Sequence, residues 1–149
     1  WNCITVLKRW SVNTNMAQYK TIGEVGVEVN APDPNTMAEV PRITKPEHRD
    51  ALLRGHKLVI IDNYTDWCGP CKQCAPQYAT IAKKYARAGI CAFAKENVED
   101  KIPGKKLAIR GVPCFHFYVD GVAQPNMTIT GGDIANIENT VKGFFGFEQ

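Results

Sequence analysis

Two cysteines separated by two residues mark the segment of this sequence best suited to chemistry, Trp67-Cys68-Gly69-Pro70-Cys71. The segment directly follows an aliphatic run and opens a helical pattern, a context that favours a redox dithiol. A helix N-terminus presents unpaired N–H groups and positive dipole charge, and both favour a thiolate over a thiol. We therefore expect Cys68 to be the acidified thiol and Cys71, one turn further in, to be the more buried one.

The residues around the two thiols suit a dithiol that opens and closes. Pro70 fixes the backbone between the cysteines and keeps them close enough to bridge. Trp67 offers an apolar wall beside them. Cys74 extends the motif to three cysteines spaced by two residues, as at the start of a bacterial ferredoxin motif. The fourth cysteine of that motif is missing, because its position holds Tyr78. We therefore predict no metal or cluster, and expect Cys74 to be a small buried helix residue.

The elements that must position the motif follow from the hydrophobic pattern. The run at 58–62 is continuously aliphatic, as in a strand that is buried on both faces. Further strands are predicted at 90–98, 114–120 and 127–130. Helices are predicted at 44–54, starting with a capping box of Thr44 and Glu47, at 70–88 with an interruption at Pro76, at 105–109, and after a cap at Asp133 to Phe145. This order predicts an α/β fold with a central mixed β-sheet flanked by helices.

With these elements in place, the hexapeptide WCGPCK at 67–72 resembles the active-site motif of the thioredoxin family, residue for residue. The resemblance covers about residues 40–149 and implies a thioredoxin-like fold. It is strengthened by positions outside the motif where the family has characteristic residues: the buried carboxylate Asp62, Pro76, the strand lysine Lys95, the loop at 109–113 that ends in a cis-proline, the turn at 120–121 and Gly131.

The resemblance implies a protein disulfide oxidoreductase, most simply a reductase, because Gly-Pro between the cysteines favours reductants in the family. Cys68 would attack a substrate disulfide, and Cys71 would resolve the mixed disulfide with Asp62 as its base, through water. No metal or organic cofactor is implied, because the redox-active disulfide carries the electrons. The implied partners are disulfide-containing protein substrates and an electron-donor reductase; an oxidase or isomerase role stays open.

The resemblance also implies which residues contact substrate and which modulate the dithiol. The backbone of Val112 would bind an extended substrate segment as an added strand, beside Pro113. The other implied substrate-binding residues are Trp67, Gly69, Pro70 and Gly131. Lys95 would modulate the dithiol. Cys114 follows the predicted cis-proline, where threonine is common, and is either a modulating thiol or an inert packing residue.

Another departure from the family lies between the buried carboxylate and the motif. Asn63, in Asn63-Tyr64-Thr65, places an amide where an apolar side chain is common, so it needs a hydrogen-bond partner if it is buried. The three histidines stand alone in the sequence and are expected to be structural.

Residues 1–39 have no counterpart in a minimal thioredoxin, and we divide the chain into this N-terminal extension and a domain at 40–149. The extension is either a surface arm, with a possible strand at 21–29, or a docking arm for a larger assembly. The second interpretation gives the alternative function: a structural or adaptor subunit built on a thioredoxin-like module.

Composition limits the remaining classes. The chain has 149 residues and a formal net charge of +3, which is too mild to indicate nucleic-acid binding. The longest aliphatic run, at 58–61, is far shorter than a membrane span. The six cysteines would fit a disulfide framework, but no secretory signal pattern is found at the start, where the first residue is tryptophan and Met16 is a candidate initiator. We therefore expect an intracellular location, cytoplasmic or organellar, with most cysteines reduced.

Overall fold

The computed structural model of the protein describes residues 40–146. The predictions made for residues 1–39 lie outside this range. The strands are β1 (Arg42–Ile43), β2 (Leu58–Tyr64), β3 (Cys91–Asn97), β4 (Cys114–Val119), β5 (Val122–Ala123) and β6 (Ile129–Thr130), and the helices are α1 (Pro46–Gly55), α2 (Gly69–Tyr85) and α3 (Ile134–Phe145). Short 3₁₀ turns occur at Val98–Asp100 and Pro125–Met127.

The strands form one mixed sheet in the order β1-β3-β2-β4-β5, with β6 also paired to β4. β1, β3 and β2 run parallel to one another, whereas β4 is antiparallel to β2, β5 and β6. The predicted mixed α/β sheet is therefore confirmed. Because β2 lies at its centre, the loop that follows β2 leaves the sheet at its middle, and this loop carries the dithiol.

Each face of the sheet has its own apolar core because alternate strand residues point to opposite faces. One core gathers β-strand residues such as Ile60 and Phe117 with side chains of α2 and α3. The other gathers Val59 and Ile61 with Leu52 of α1. Helices on both faces explain why β2 is a continuous aliphatic run instead of an alternating one.

Three predicted details of the helices are wrong. The capping box does not form: Pro46 takes the first helical position, so the N-cap is Lys45 and no side chain caps it. Thr44 instead donates its N–H to Nδ1 of His48 at 3.2 Å. The segment 105–109 is not helical. Helix α2 continues through Pro76 without interruption, although proline has no N–H to donate to the carbonyl four residues earlier.

One hydrogen bond links α2 to the centre of the sheet. The fully buried Tyr78 hydroxyl lies 3.0 Å from the Ile60 carbonyl and 2.9 Å from the Ala94 carbonyl, and donates its single hydrogen to one of them at a time. Tyr78→Phe should therefore lower the free energy of unfolding by about 1 kcal/mol. Urea denaturation measures this as a lower midpoint at an unchanged m-value. Thr80→Val, which removes an exposed hydroxyl from the same helix, is the control, and an equal loss in both variants would contradict the assignment.

Candidate active site

The two cysteines of the motif lie where β2 passes into α2. Cys68 is the N-cap of α2, and its Sγ accepts a hydrogen bond from the Cys71 N–H at 3.1 Å. Cys68 and Cys71 are joined as a disulfide with their Cα atoms 5.3 Å apart. The N-terminal end of α2 thus directs an N–H group and positive dipole charge at the Cys68 sulfur, which stabilises negative charge there. The predicted difference in burial is wrong, because each cysteine is 4% exposed.

Asp62 is a buried carboxyl group on the central strand. It lies opposite Lys95 in the parallel pairing of β2 with β3, and only 3% of it is exposed. Within residues 40–146 its Oδ1 has no hydrogen-bond partner. Burial raises the pKa of Asp62 from 3.8 to about 7, and the positive charge of Lys95 opposes the rise only in part. The carboxyl group therefore exchanges its proton near neutral pH.

A cavity of about 160 Å³ connects this carboxyl group to the second thiol. Asp62 and Cys71 both line it, together with Thr65, Lys72 and Lys95 among others. Asp62, Thr65 and the two lysines contribute polar groups to its lining, and the cavity is large enough to admit water. A proton can therefore pass between Cys71 and Asp62 through water without direct contact of the two side chains.

The predicted substrate loop lies at the same edge of the sheet. The Val112–Pro113 peptide is cis. Because β4 is antiparallel to β2 and pairs Cys114 with Asn63, the residue before Cys114 lies beside the end of β2, where the dithiol loop starts. The Gly131 N–H donates to the Pro113 carbonyl at 2.8 Å. The structure thus brings Val112, Pro113 and Gly131 to the edge that carries the dithiol.

The surface beside the dithiol is apolar and open. Trp67 is 72% exposed, and its indole N–H donates to the Glu99 carboxylate. Gly69 and Pro70 are exposed as well. An exposed aromatic ring held in place by its polar edge offers contact area to a partner at little entropic cost.

The remaining described cysteines are buried free thiols: Cys74, Cys91 and Cys114. Burial raises the pKa of Cys74 to about 11 and that of Cys91 to about 12, and it also raises the pKa of Cys114. At neutral pH all three remain protonated and poorly nucleophilic. Among residues 40–146, no three His, Cys, Asp or Glu side chains are grouped as a metal site.

Sequence reasoning missed a buried polar group on the opposite face of the sheet. Glu96 and Arg49 are 0% and 2% exposed, and His116 is 1% exposed. The alternation in β3 contained the signal: Ala92 and Ala94 belong to the α1-side core, so Glu96, two residues on, points to the same buried face.

A family model described as Thioredoxin matches residues 39–142, across the sheet and the dithiol. The chain belongs to the thioredoxin family. It is 32% identical over 102 residues to a thioredoxin of Neurospora crassa, an alignment that covers 66% of this chain and 80% of the relative. It is 40% identical over 76 residues to the chloroplastic thioredoxin F1 of Arabidopsis thaliana, covering 50% of this chain and 41% of the relative.

Solved thioredoxins share the fold. A thioredoxin of Plasmodium falciparum superposes with a TM-score of 0.61 at 27% identity, covering 70% of this chain and 99% of that one. A thioredoxin of Schistosoma mansoni gives the same TM-score at 27% identity, covering 74% and 99%. As a member of this family, the chain is a protein disulfide oxidoreductase whose redox-active disulfide is Cys68–Cys71. The family acts on disulfide substrates without a metal or organic cofactor. No helix within residues 40–146 is both long and apolar enough to cross a membrane.

Proposed function

We propose that this member of the thioredoxin family works as a reductase of protein disulfides, with Cys68 as the attacking thiol and Cys71 as the resolving thiol. The observation that carries the assignment is the position of the Cys68 sulfur at the N-terminus of α2, with the Cys71 N–H 3.1 Å away. An N-terminal N–H and the helix dipole stabilise a thiolate, and the thiolate is the nucleophile in thiol–disulfide exchange.

The reaction runs in two exchanges. The Cys68 thiolate attacks one sulfur of the substrate disulfide, forms a mixed disulfide and releases the other substrate sulfur as a thiolate. Cys71 then loses its proton to Asp62 through water in the shared cavity, and its thiolate attacks the Cys68 sulfur. The second substrate thiolate leaves, the Cys68–Cys71 disulfide forms, and an external reductase returns two electrons to it.

The loop edge would bind the substrate during the first exchange. We propose that the backbone of Val112 pairs with an extended substrate segment, with Pro113 and Gly131 forming the floor and Trp67, Gly69 and Pro70 the exposed rim. The hydrogen bond from Gly131 to the Pro113 carbonyl supports this arrangement because it couples the two sides of the floor. Lys95 modulates the base through its charge beside Asp62. Cys114 is assigned a packing role, since its raised pKa keeps it protonated.

The redox potential of the Cys68–Cys71 couple tests the direction. We expect a value near that of thioredoxin itself, roughly −270 mV, a reference value that the family membership supplies. Equilibration of the full chain with glutathione or dithiothreitol buffers, followed by trapping of free thiols, measures it. A potential near roughly −120 mV, as in strong disulfide oxidants, would show that the Cys68–Cys71 couple acts as an oxidant. It would overturn the reductase assignment.

The division of the chain is proposed with the function. We place the catalytic domain at 40–149 and the extension at 1–39, and the start of the family match at residue 39 supports this boundary. We also propose an intracellular, reducing compartment, cytoplasmic or organellar. The relatives named as chloroplastic thioredoxins are consistent with an organelle.

A further inference from the structure

A buried ion cluster, formed by Arg49, Glu96 and Lys105, lies on the face of the sheet opposite Asp62. Arg49 Nη2 is 2.8 Å from Glu96 Oε1, and both side chains are at most 3% exposed. Lys105 Nζ is 2.5 Å from Glu96 Oε2, with 22% of its side chain exposed. Since Lys95 shares the face of Asp62, Glu96, the next residue, points to the α1 face. The cluster thus joins α1, β3 and the segment that precedes β4.

The stability of the fold does not account for these charges. Removing charged groups from water has a large cost, and apolar residues of similar volume often serve the fold as well or better. The neighbours of Glu96 on the same face of β3 are the apolar Ala92 and Ala94. A buried glutamate that follows two apolar residues on the same face of β3 indicates a role that an apolar side chain cannot fill, namely holding polar groups of another segment in place.

The group that the cluster positions is the backbone of the segment at 101–113, which forms neither helix nor strand and ends in Pro113. Arg49 Nη1 donates to the Pro103 carbonyl at 2.8 Å, in addition to its bond to Glu96. Lys105 is itself part of the segment, and its ammonium group reaches Glu96. The ion cluster therefore attaches the segment to the sheet at two points near its start.

His116 supplies a third attachment further along. Its Nδ1 is 3.2 Å from the Asn63 amide nitrogen, which also donates to the Cys114 carbonyl at 3.0 Å. Because that nitrogen is a donor, Nδ1 accepts and Nε2 carries the hydrogen. Burial lowers the pKa of His116 and keeps the ring neutral. Nε2–H then donates to the Ala108 carbonyl at 3.3 Å.

We propose that Arg49, Glu96 and Lys105 are positioning residues for substrate binding, which hold the 101–113 segment so that Val112 and Pro113 stay in register with the dithiol. They contact neither the substrate nor the reacting sulfurs. The inference rests on the proposed function in one respect, that the Val112–Pro113 edge binds the substrate. Loosening the cluster should therefore weaken substrate binding and leave the chemistry of Cys68 unchanged.

The full chain with Lys105→Met is the first test, with insulin as the disulfide substrate and dithiothreitol as the electron donor. We expect KM to rise by about 3- to 10-fold, while kcat and the rate of Cys68 alkylation by iodoacetamide stay within about twofold of wild type. Lys105→Arg, which keeps charge and reach, should restore KM. Lys106→Met is the matched control, because it removes the same charge from the exposed neighbouring residue.

A double variant separates positioning from stability. Arg49→Met with Glu96→Leu replaces the buried pair by apolar side chains, so we expect a thermal midpoint at or above that of wild type. The same variant should raise KM as Lys105→Met does and speed amide hydrogen exchange within 101–113. If the double variant does not fold, Lys105→Met alone decides the question.

Three results would overturn the inference: an unchanged KM in folded variants, an equal rise in KM for Lys106→Met, or a parallel fall of kcat and thermal stability without a change in KM. A different result bears on the proposed function itself. If Cys68→Ser retained full turnover, the assignment of the dithiol would fail, and hydrogen exchange within 101–113 would still decide whether the cluster holds the segment.

Discussion

Cys68→Ser should reduce kcat/KM for insulin disulfides by about three orders of magnitude or more. A serine hydroxyl stays protonated at neutral pH, so the N–H and the helix dipole that face Cys68 Sγ have no anion to stabilise. Cys71→Ser should fail at a different step. Its Cys68 can still attack, but nothing resolves the product, so a mixed disulfide with the substrate should accumulate. Turnover assays and mass spectrometry under non-reducing conditions measure the two outcomes.

Cys74→Ala is the matched control for these variants, since Cys74 is a third cysteine on the same helix. Its thiol is buried and its pKa is raised to about 11, so it has no part in the exchange. The variant should reduce insulin at close to the wild-type rate. If Cys74→Ala lost as much activity as Cys68→Ser, or if Cys71→Ser gave no trapped intermediate, the assigned order of the two thiols would be wrong.

Local sequence patterns predicted the parts of the site that depend on local structure. The aliphatic run at 58–62 identified the central strand, and the CGPC motif after it identified the start of α2. Both follow from short-range rules on burial and on helix termini. The resemblance supplied Asp62 and the cis-proline, and the structure places both at the edge that carries the dithiol.

The parts that failed depend on contacts between distant residues. The segment 105–109 has helix-forming residues, but Lys105 is held by Glu96 and the Ala108 carbonyl by His116, so the chain is fixed outside helical geometry. The capping box failed by one residue because Pro46 is favoured at the first helical position. The central pair of the buried ion cluster, Arg49 and Glu96, lies 47 positions apart in the sequence, so no local window contains both partners.

Asp62→Asn should stabilise the protein at pH 8 and leave its stability unchanged at pH 3. In the folded state the pKa of Asp62 is about 7, against 3.8 in the unfolded chain. Between these values the folded state binds more protons than the unfolded state, so the free energy of unfolding falls as pH rises from about 4 to 7. Asparagine does not titrate, so it removes this loss. At about 1.4 kcal/mol per pKa unit, the loss of unfolding free energy is at most about 4 kcal/mol.

Urea denaturation at pH 3 and pH 8 measures the gain, with Asp66→Asn as the matched control. Asp66 lines the same cavity but is exposed, so its neutralisation should change the free energy of unfolding by less than about 0.5 kcal/mol at either pH. An Asp62→Asn variant with the wild-type pH dependence would show that the buried carboxyl group does not titrate near neutrality.

The same substitution should slow the second exchange and leave the first unaffected. Without a carboxylate to accept the Cys71 proton, resolution of the mixed disulfide at pH 7 should be about 10²-fold slower, the lower end of the usual contribution of a general base. The defect should shrink as the pH rises, because a larger fraction of the Cys71 thiol then ionises without the help of a base. Stopped-flow mixing with a disulfide substrate separates the two steps. A slower first step with normal resolution would remove Asp62 from the role of base, since the helix terminus alone serves Cys68.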